Sequence, residues 1–506
     1  SAKEKEVSSI GGLGYWPKSA SIQHFKEKRK GVIPEGVERM VVPAAPDAWM
    51  TALAKHGTMT FEQIVPPAME YANEGIAIGE SLSATLETFH GQMGLWPTRD
   101  EIFAPGRKKL GVGDVLKQPA LANTFKRLIE MERASECKGR VDAIKAARNI
   151  FYKGEIAQEI ANFVQENGGF LSFEDLNSFK VGRELPVSVN YDRYKIFTNG
   201  PWCQGPVFAE TLKILSSDDL RSLGHNSVDY IHLVAEALKL SFADRDAFYG
   251  DPNFVDVPIE GLLSKDYCNS RRNEIDASKA FPAMPPYGDP WMFEGRAQPS
   301  SFSYVQPDPV YGNSEPDTSY VCVIDRWGNM FSATPSDGQT AIVPELGFTP
   351  STRGSQTWLD PNHPSALVPG KRPRLTPNAL LAFKDGQAWM PFGTPGGDAQ
   401  VQATIQFFLN QVVFDMSPQE AVEAPRFLVW SFPDSFWPHV YTPGRMELES
   451  RFDKSIGFEL QKKGHLIEWL PPVSGRANNV CGITRGETGT LMAAADHRSE
   501  AYAMGR

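Results

Sequence analysis

The sequence predicts a fold of the α+β class, in which helices and antiparallel strands dominate different parts of a 506-residue chain. Three observations lead to this prediction. Residues 1–300 carry mainly helical patterns, with apolar residues three and four positions apart. The last 190 or so residues instead contain short apolar or alternating runs separated by Gly-containing turns. A polar, Pro-rich stretch, PSSFSYVQPDPVYGNSEP (299–316), separates the two parts and has the composition of a linker.

Four segments of the first part have the clearest helical periodicity. They are FEQIVPPAMEYANEGIAI (61–78), ALANTFKRLIEMERA (120–134), YKGEIAQEIANFVQENGGF (152–170) and YIHLVAEALKLSFADRDAFYGDP (230–252). Gly-Gly in the third segment and Gly-Asp-Pro in the fourth are helix-ending signals. Between them, LPVSVNYDRYKIFTNGP (185–201) alternates like two strands that turn at Asp192.

The second part predicts two hairpins and then a helix. SYVCVID (319–325) and MFSAT (330–334) are the strands of the first hairpin, with a turn at DRWGN. ALLAF (379–383) and AWMPFG (388–393) form the second around the Asp-Gly turn of KDGQ. TPGGDAQVQATIQFFLNQVVF (394–414) then combines a Gly-Gly turn with an amphipathic helix.

Composition excludes several classes of protein. The net charge is −10 and no basic block is visible, which argues against a nucleic-acid partner. No run of about 18 apolar residues predicts a membrane span. The five cysteines are scattered singly, so a disulfide framework is not expected. The sequence begins without Met or an apolar signal region, so either a leader has been removed or residues precede it. The compartment stays open between the cytoplasm and the periplasm or exterior.

Common catalytic and metal signatures are missing from the sequence. It contains no G-x-S-x-G, Walker A, H-E-x-x-H or G-x-G-x-x-G motif, and its nine histidines have no ligand-like spacing. His232 lies on a predicted helix, where packing or solvation is the expected role. We therefore expect no metal and no organic cofactor.

Thr318 is the sharpest candidate for chemistry, because it stands where the linker meets an apolar strand. A threonine hydroxyl needs a base to take its proton before it can act as a nucleophile. Cutting the chain just before Thr318 would supply that base, since a free α-amine has a pKa of about 7.7–8.0. A threonine that merely begins a strand after a loop is the structural alternative.

A set of motifs in a fixed order supports the catalytic interpretation. The set comprises SSIGG (8–12), VPAAPDAWMTALAKHGTMTFEQIVPPAMEYANEGI (42–76), FYKGEIAQEIANFVQENGGFLSFEDLNSF (151–179), AEALKLSFADRDAFYGDPNFVDVP (235–258), DTSYVCVIDRWGNMFSAT (317–334), GKRPR (370–374), PFGTPGGDAQ (391–400) and EAPRF (423–427). In order and spacing it resembles the γ-glutamyltransferase family of N-terminal-nucleophile hydrolases, and this sequence looks like a divergent member. DTSYV stands where ordinary members carry a Thr-Thr-His-type start to the catalytic strand.

The resemblance implies a proenzyme that cuts itself between Asp317 and Thr318. A large subunit, 1–317, and a small subunit, 318–506, would stay together as one intertwined domain with a four-layer αββα sandwich fold. Thr318 would be the nucleophile and its amine the general base. Gly396 and Gly397 match the family's oxyanion-hole pair, and backbone N–H groups that open a helix suit that role. Ser336 matches a second hydroxyl that supports the nucleophile, although a turn serine is the alternative there.

The substrate side departs from the family pattern. Members of the family bind the ammonium of a γ-glutamyl group with a carboxylate. This sequence has Gln356 at that position and Arg353 at the neighbouring polar position. The serine pair that holds the substrate carboxylate is missing, since Arg374 runs straight into Leu375. We therefore expect a more positive pocket, in which Arg353 or Arg374 binds a carboxylate in bidentate fashion. Alternatively, either arginine pairs with a structural acid such as Glu345.

The leading hypothesis is an N-terminal-threonine amidohydrolase that cleaves a small acidic or γ-glutamyl-like amide through an acyl-enzyme. Its acyl donor would lack a free α-amino group, as glutaryl-like or oxamate-like compounds do. Hydrolysis is favoured over transfer because no acceptor site is visible. One alternative is a true γ-glutamyltransferase or glutathione hydrolase, and another is a non-catalytic relative used for binding. The sequence leaves open whether processed units form a homodimer.

Overall fold

The structure is a computed structural model that describes residues 1–312 and 318–505. Helices dominate the part before the linker and strands are concentrated after it, so the predicted mixed class is confirmed. The linker itself is mostly irregular over residues 299–312. Its last four residues and Asp317, which follows it, lie outside the described part of the chain.

Nineteen α-helices occur among the described residues. The first ten are α1 (Ile22–Lys28), α2 (Ala45–His56), α3 (Phe61–Ile64), α4 (Pro66–Glu74), α5 (Glu80–Gly91), α6 (Pro97–Phe103), α7 (Pro119–Ala134), α8 (Arg140–Lys153), α9 (Glu155–Glu166) and α10 (Phe173–Ser178). The others are α11 (Gly205–Ile214), α12 (Leu220–Leu223), α13 (Val228–Phe248), α14 (Ile259–Leu262), α15 (Lys265–Asn273), α16 (Pro290–Phe293), α17 (Ala399–Val412), α18 (Pro418–Glu423) and α19 (Lys454–Lys462).

The strands of the described residues form one large sheet and several small ones. They are β1 (Ser9–Gly11), β2 (Ile76–Ala77), β3 (Val115–Leu116), β4 (Gly182–Glu184), β5 (Val187–Tyr191), β6 (Tyr194–Thr198), β7 (Val321–Ile324), β8 (Met330–Ala333), β9 (Leu380–Lys384), β10 (Gln387–Gly393), β11 (Phe427–Val429), β12 (Arg445–Glu449), β13 (Leu466–Leu470), β14 (Cys481–Arg485) and β15 (Leu491–Ala495). The large sheet has the strand order β15-β14-β10-β9-β6-β5.

The predicted hairpins and most of the predicted helices form where the sequence indicates them. The segment 61–78 differs, because it divides into α3 and α4 and ends in the strand β2. Asp192 turns β5 into β6 with a φ of +49°, a left-handed conformation that Asp tolerates better than most residues. Asp385 and Gly386, with φ angles of +49° and +77°, form the two-residue turn between β9 and β10. Helix α9 buries one apolar stripe that includes Ile156 and Ile160, and Gly168 follows its end with a φ of +84°.

The large sheet joins the two parts of the chain that the linker separates. Strand β6, which precedes the linker, pairs antiparallel with β9, which follows it, from Tyr194↔Lys384 to Phe197↔Leu381. Four strands of the sheet come from residues after Thr318, and β5 and β6 come from residues before the linker. A cut in the linker would therefore leave these backbone hydrogen bonds intact.

Helices and a hairpin pack on opposite faces of the large sheet. On one face, Phe392 of β10 stacks on Phe408 of α17, with ring centroids 6.0 Å apart. The next residue, Gly393, faces the ring of Tyr320, which immediately precedes β7. Because consecutive strand residues point to opposite faces, the β7–β8 hairpin lies across the sheet from α17. Helix α13 is buried over almost its whole length in the core beside α11 and α17.

No helix in the described residues has both the length and the apolar composition needed to cross a lipid bilayer.

Candidate active site

The β7–β8 hairpin brings Thr318 opposite Ser336. The hairpin pairs Val321 with Ala333, and the same register continued outward pairs residue 318 with residue 336. The hydrogen bond from Ser319 N–H to the Pro335 carbonyl, at 2.8 Å, shows that the two segments stay together beyond the strands. The hydroxyl oxygens of Thr318 and Ser336 lie 2.9 Å apart, within hydrogen-bond distance.

Gly396 and Gly397 form the turn between β10 and α17, as the sequence predicts. Their φ angles are +108° and +58°, which only glycine adopts readily. No residue in the described part of the chain accepts a hydrogen bond from the backbone N–H of either glycine. Two adjacent N–H groups without acceptors, just before a helix N-terminus, are suited to bind a developing oxyanion.

The hairpin and the glycine turn meet at one end of β10. A Cβ atom added to Gly393 would lie 2.3 Å from the ring of Tyr320, so glycine is required for this close approach. Tyr320 is two residues after Thr318, and Gly396 is three residues after Gly393. The Tyr320 hydroxyl lies 2.7 Å from that of Ser332, and burial raises the pKa of Tyr320 well above its ordinary value. Tyr320 is therefore a neutral spacer between the hairpin and the sheet.

Arg353 lies beside the hydroxyl pair but has an acidic neighbour. It begins a short 3₁₀ helix, Arg353–Gln356, and is 3% exposed. Its Nε lies 3.6 Å from Oδ1 of Asp337, the residue that follows Ser336. The same oxygen accepts hydrogen bonds from the N–H and the hydroxyl of Thr352, at 2.8 and 2.6 Å. Asp337 offsets the positive charge that the sequence predicts for the pocket.

Asp337 is not among the site residues that the sequence predicts, and the acid expected for the structural alternative is a different one. Glu345 is exposed, whereas Asp337 is the carboxylate next to Arg353. The signal was present in the sequence SATPSDG, where a carboxylate directly follows the candidate serine. Its pairing with Arg353 depends on the fold, because 15 residues of loop lie between the two positions.

Gln356 lies behind the glycine turn. It is 1% exposed, and its Nε2 lies 3.5 Å from the Thr376 hydroxyl. Gln204, another buried side chain, donates from Nε2 to the carbonyl of Thr376 at 2.7 Å and to that of Gly397 at 2.9 Å. Thr376 and Gln204 therefore connect Gln356 to the candidate oxyanion site.

Arg374 is held in a buried ion pair with Asp246. It is 1% exposed, and its Nη2 lies 3.4 Å from Asp246 Oδ1. Tyr304 donates to the other Asp246 oxygen at 2.6 Å. Burial, followed by the charge of Arg245, lowers the pKa of Arg374 to about 10. These contacts match the structural alternative for Arg374, with Asp246 as the acid, and none of them favours substrate binding.

One buried cluster has the residue types of a metal site. His232 and Glu236 on α13 approach His465, with His232 Nδ1 and His465 Nε2 2.9 Å apart. The Lys239 ammonium lies 2.7 Å from Glu236 Oε1 and so already supplies a positive charge there. Burial lowers the pKa of both histidines, which favours neutral rings. The cluster is best described as a buried hydrogen-bond network that joins α13 to β13.

Comparisons with known proteins identify the family. The family described as gamma-glutamyltranspeptidase matches residues 1–506. The glutathione hydrolase-like YwrD proenzyme of Bacillus subtilis (strain 168) is 30% identical over 99% of this chain and 87% of its own. The solved structure of LmbA2991HD has a TM-score of 0.89 and 35% identity, over 99% of this chain and 88% of that one. The cephalosporin acylase from Bacillus halodurans has a TM-score of 0.83 and 26% identity, over 99% and 86%.

These matches favour an enzyme over a binding protein, and they bear out the four-layer αββα fold of the N-terminal-nucleophile hydrolases. The chain is an amide hydrolase or acyltransferase that belongs to the gamma-glutamyltranspeptidase family.

Proposed function

We propose that the chain is a precursor that cuts itself between Asp317 and Thr318. The products would be a 317-residue large subunit and a 189-residue small subunit that begins with Thr318. The pairing of β6 with β9 supports continued association of the two subunits. Strand β6 would belong to the large subunit and β9 to the small one, and the two strands are neighbours in one sheet. The proenzyme name of the Bacillus subtilis relative is consistent with such a cut.

In the proposed reaction, the Thr318 hydroxyl attacks the carbonyl carbon of an amide while the α-amine of Thr318 takes the hydroxyl proton. The carbonyl oxygen becomes an oxyanion that the N–H groups of Gly396 and Gly397 bind. Collapse of this intermediate breaks the C–N bond, and the ammonium returns its proton to the leaving amine. An ester to Thr318 remains, and water attacks it with the same amine as base, releasing the acid.

One observation carries this proposal: the 2.9 Å approach of the Thr318 and Ser336 hydroxyls, near a turn whose two glycine N–H groups have no acceptor among the described residues. The Ser336 hydroxyl would orient the nucleophile by donating to Thr318 Oγ1, which leaves the Thr318 proton directed at the amine. Thr318 is partly exposed, so a substrate can reach it.

For the substrate, we propose an acid amide without a free α-amino group. A neutral, buried Gln356 occupies the position expected for an ammonium-binding carboxylate. Asp337 is the acid of this region, and Thr352 and Arg353 already contact it. A substrate ammonium would compete with Arg353 for that carboxylate. A carboxylate on the acyl group would instead be attracted to Arg353. The acylase name of one relative fits a donor of this kind.

The carboxylate of Asp337 also supports the alternative of a γ-glutamyl substrate, because it could bind the ammonium of such a substrate. Its side chain is 25% exposed and lies beside Ser336, where it offers a carboxylate that is not among the site residues predicted from the sequence. A γ-glutamyl ammonium bound there would suit a glutathione hydrolase, and the name of the Bacillus subtilis relative is glutathione hydrolase-like.

Hydrolysis of matched anilides decides between the two substrates. Glutaryl-p-nitroanilide and γ-glutamyl-p-nitroanilide differ only by the α-amino group, and release of p-nitroaniline reports on both. The proposal predicts a higher kcat/KM for the glutaryl compound, and a clear preference for the γ-glutamyl compound would contradict it. Thr318→Ala serves as the control, because every activity that uses the nucleophile disappears in that variant.

A further inference from the structure

Side chains from three separate segments hold the carbonyl oxygens of the glycine turn. The Thr394 hydroxyl donates to the Pro395 carbonyl at 3.0 Å. Asn478 Nδ2 lies 3.4 Å from the Gly396 carbonyl, and Gln204 Nε2 donates to the Gly397 carbonyl at 2.9 Å. Each of these three side chains is buried.

The planarity of the peptide bond gives these contacts a consequence for the opposite side of the turn. The carbonyl of one residue and the N–H of the next share a plane and, in a trans peptide, point in opposite directions. Fixing the Pro395 carbonyl therefore aims the Gly396 N–H, and fixing the Gly396 carbonyl aims the Gly397 N–H. Neither of these two N–H groups has an acceptor among the described residues.

Asn478 is itself rigidly placed. Its backbone has a φ of +63° and a ψ of 170°, a conformation that residues other than glycine rarely adopt. Its carbonyl accepts from Arg426 Nη1 at 2.8 Å. Arg426 is buried and paired with Asp496 at 2.6 Å. A Cβ atom on Gly396 would lie 1.9 Å from Asn478 Oδ1, so the amide packs directly on the glycine.

From these contacts we propose that Asn478 and Thr394 are positioning residues that aim the two oxyanion-binding N–H groups. Asn478 sets the Gly397 N–H and Thr394 sets the Gly396 N–H, while Gln204 anchors the next peptide. Asn478 and Thr394 would act through the carbonyls of the turn, which they contact, and not through the substrate. This inference rests on the proposed role of the glycine pair as the oxyanion site.

Two different substitutions of Asn478 test the inference, so that the test does not depend on the folding of a single variant. Asn478→Gly keeps the positive φ of the backbone and removes the amide, and Asn478→Asp keeps the size but replaces the donor with a carboxylate. Thr394→Val removes the other hydroxyl at constant volume. The matched control is Asn226→Asp, because Asn226 also has a positive φ, of +54°, and donates from Nδ2 to a backbone carbonyl, at 3.1 Å.

The measurements are kcat and KM per processed small subunit, and inhibition by butylboronic acid, which forms a tetrahedral adduct with a nucleophilic hydroxyl. Loss of a whole oxyanion donor lowers kcat about 10²- to 10³-fold, so loss of its aim should lower kcat roughly 10- to 100-fold. Binding of the boronic acid should weaken in parallel, while KM and the melting temperature stay near wild type. A purely structural role would lower the melting temperature and leave the kcat of the folded fraction unchanged.

The outcomes separate this inference from the proposed function. An active wild-type enzyme whose Asn478 and Thr394 variants keep kcat and boronic acid inhibition within about twofold would overturn the positioning role alone. A wild type without amidase activity would overturn the proposed function and this inference together. The expected result is an active wild type and control, with all three variants impaired in kcat and in boronic acid binding.

Discussion

The Thr318 and Ser336 hydroxyl oxygens lie 2.9 Å apart, although the two residues are 18 positions apart in the chain. The two residues lie opposite each other because the strand register of the β7–β8 hairpin continues beyond the strands. We therefore predict that Ser336→Ala lowers kcat roughly 100-fold, the lower end of the range typical of a group that assists proton transfer, with the fold unchanged. Steady-state kinetics and circular dichroism check both parts.

Ser332 provides the internal comparison for Ser336. It lies on the same hairpin, but its hydroxyl bonds to Tyr320 rather than to Thr318. Ser332→Ala should therefore leave kcat within a few-fold of wild type. Equal losses in the two variants would show that the hairpin, and not the hydroxyl of Ser336, matters for activity.

Gly396→Ala should abolish activity because the added methyl would collide with Asn478 at a backbone angle that alanine avoids. Gly386→Ala is the matched control, since Gly386 has a φ of +77° with nothing within 4 Å of the added atom. It should cost only about 1 kcal/mol of the free energy of unfolding, through backbone strain, and keep full kcat. Full activity in the Gly396 variant would rule out a catalytic role for the turn.

Arg353→Lys tests whether the arginine binds the carboxylate of the substrate. Lysine keeps the charge but loses the planar fork that binds carboxylates in bidentate fashion. KM for glutaryl-p-nitroanilide should rise roughly tenfold or more, and KM for acetyl-p-nitroanilide should change little. Parallel changes for both compounds would mean that Arg353 serves chiefly to hold Asp337 and its loop.

Stability should fall as the pH is lowered from about 6.5 to about 4, partly because of His363. Burial lowers the pKa of His363 to about 4, although Asp246 opposes this shift. Its Nδ1 accepts from Ser365 N–H at 3.0 Å, which agrees with a neutral ring. In that pH range the unfolded chain binds a proton that the folded chain does not, and the full effect is about 3 kcal/mol.

Denaturant unfolding across this pH range tests the role of His363. His363→Gln should flatten the pH dependence of the free energy of unfolding, and His497→Gln, at a partly exposed position, should not. Some slope should remain, because burial also lowers the pKa of His439 to about 3. An unchanged slope in the His363 variant would contradict this account.

Local patterns in the sequence predict the elements of the fold well. Alternation and a turn residue are sufficient for β5 and β6 around Asp192, and for β9 and β10 around Gly386. The sequence does not show that β6 pairs with β9, because strands that are almost 200 residues apart carry no local signal of their pairing. The shared sheet is therefore visible only in the structure.

The site likewise combines residues that local sequence patterns indicate with contacts that only long-range packing produces. A strand start after a linker and a Gly-Gly turn before a helix indicate Thr318 and Gly396 directly. The partners of Arg353 and Arg374 depend on long-range packing, which brings Asp337 and Asp246 to them. Asn478 has no sequence signal at all, since its role follows from one close approach between a loop and the glycine turn.

The mass and N-terminal sequence of the purified protein show whether the precursor cuts itself before Thr318. We expect two chains in equal amounts, the smaller beginning Thr-Ser-Tyr-Val-Cys, and a Thr318→Ala variant that stays as one chain of 56.0 kDa. A wild-type protein that remains a single 56.0 kDa chain after long incubation would rule out self-cleavage and the proposed nucleophile together. Without a free α-amine on Thr318, the proposed nucleophile has no base.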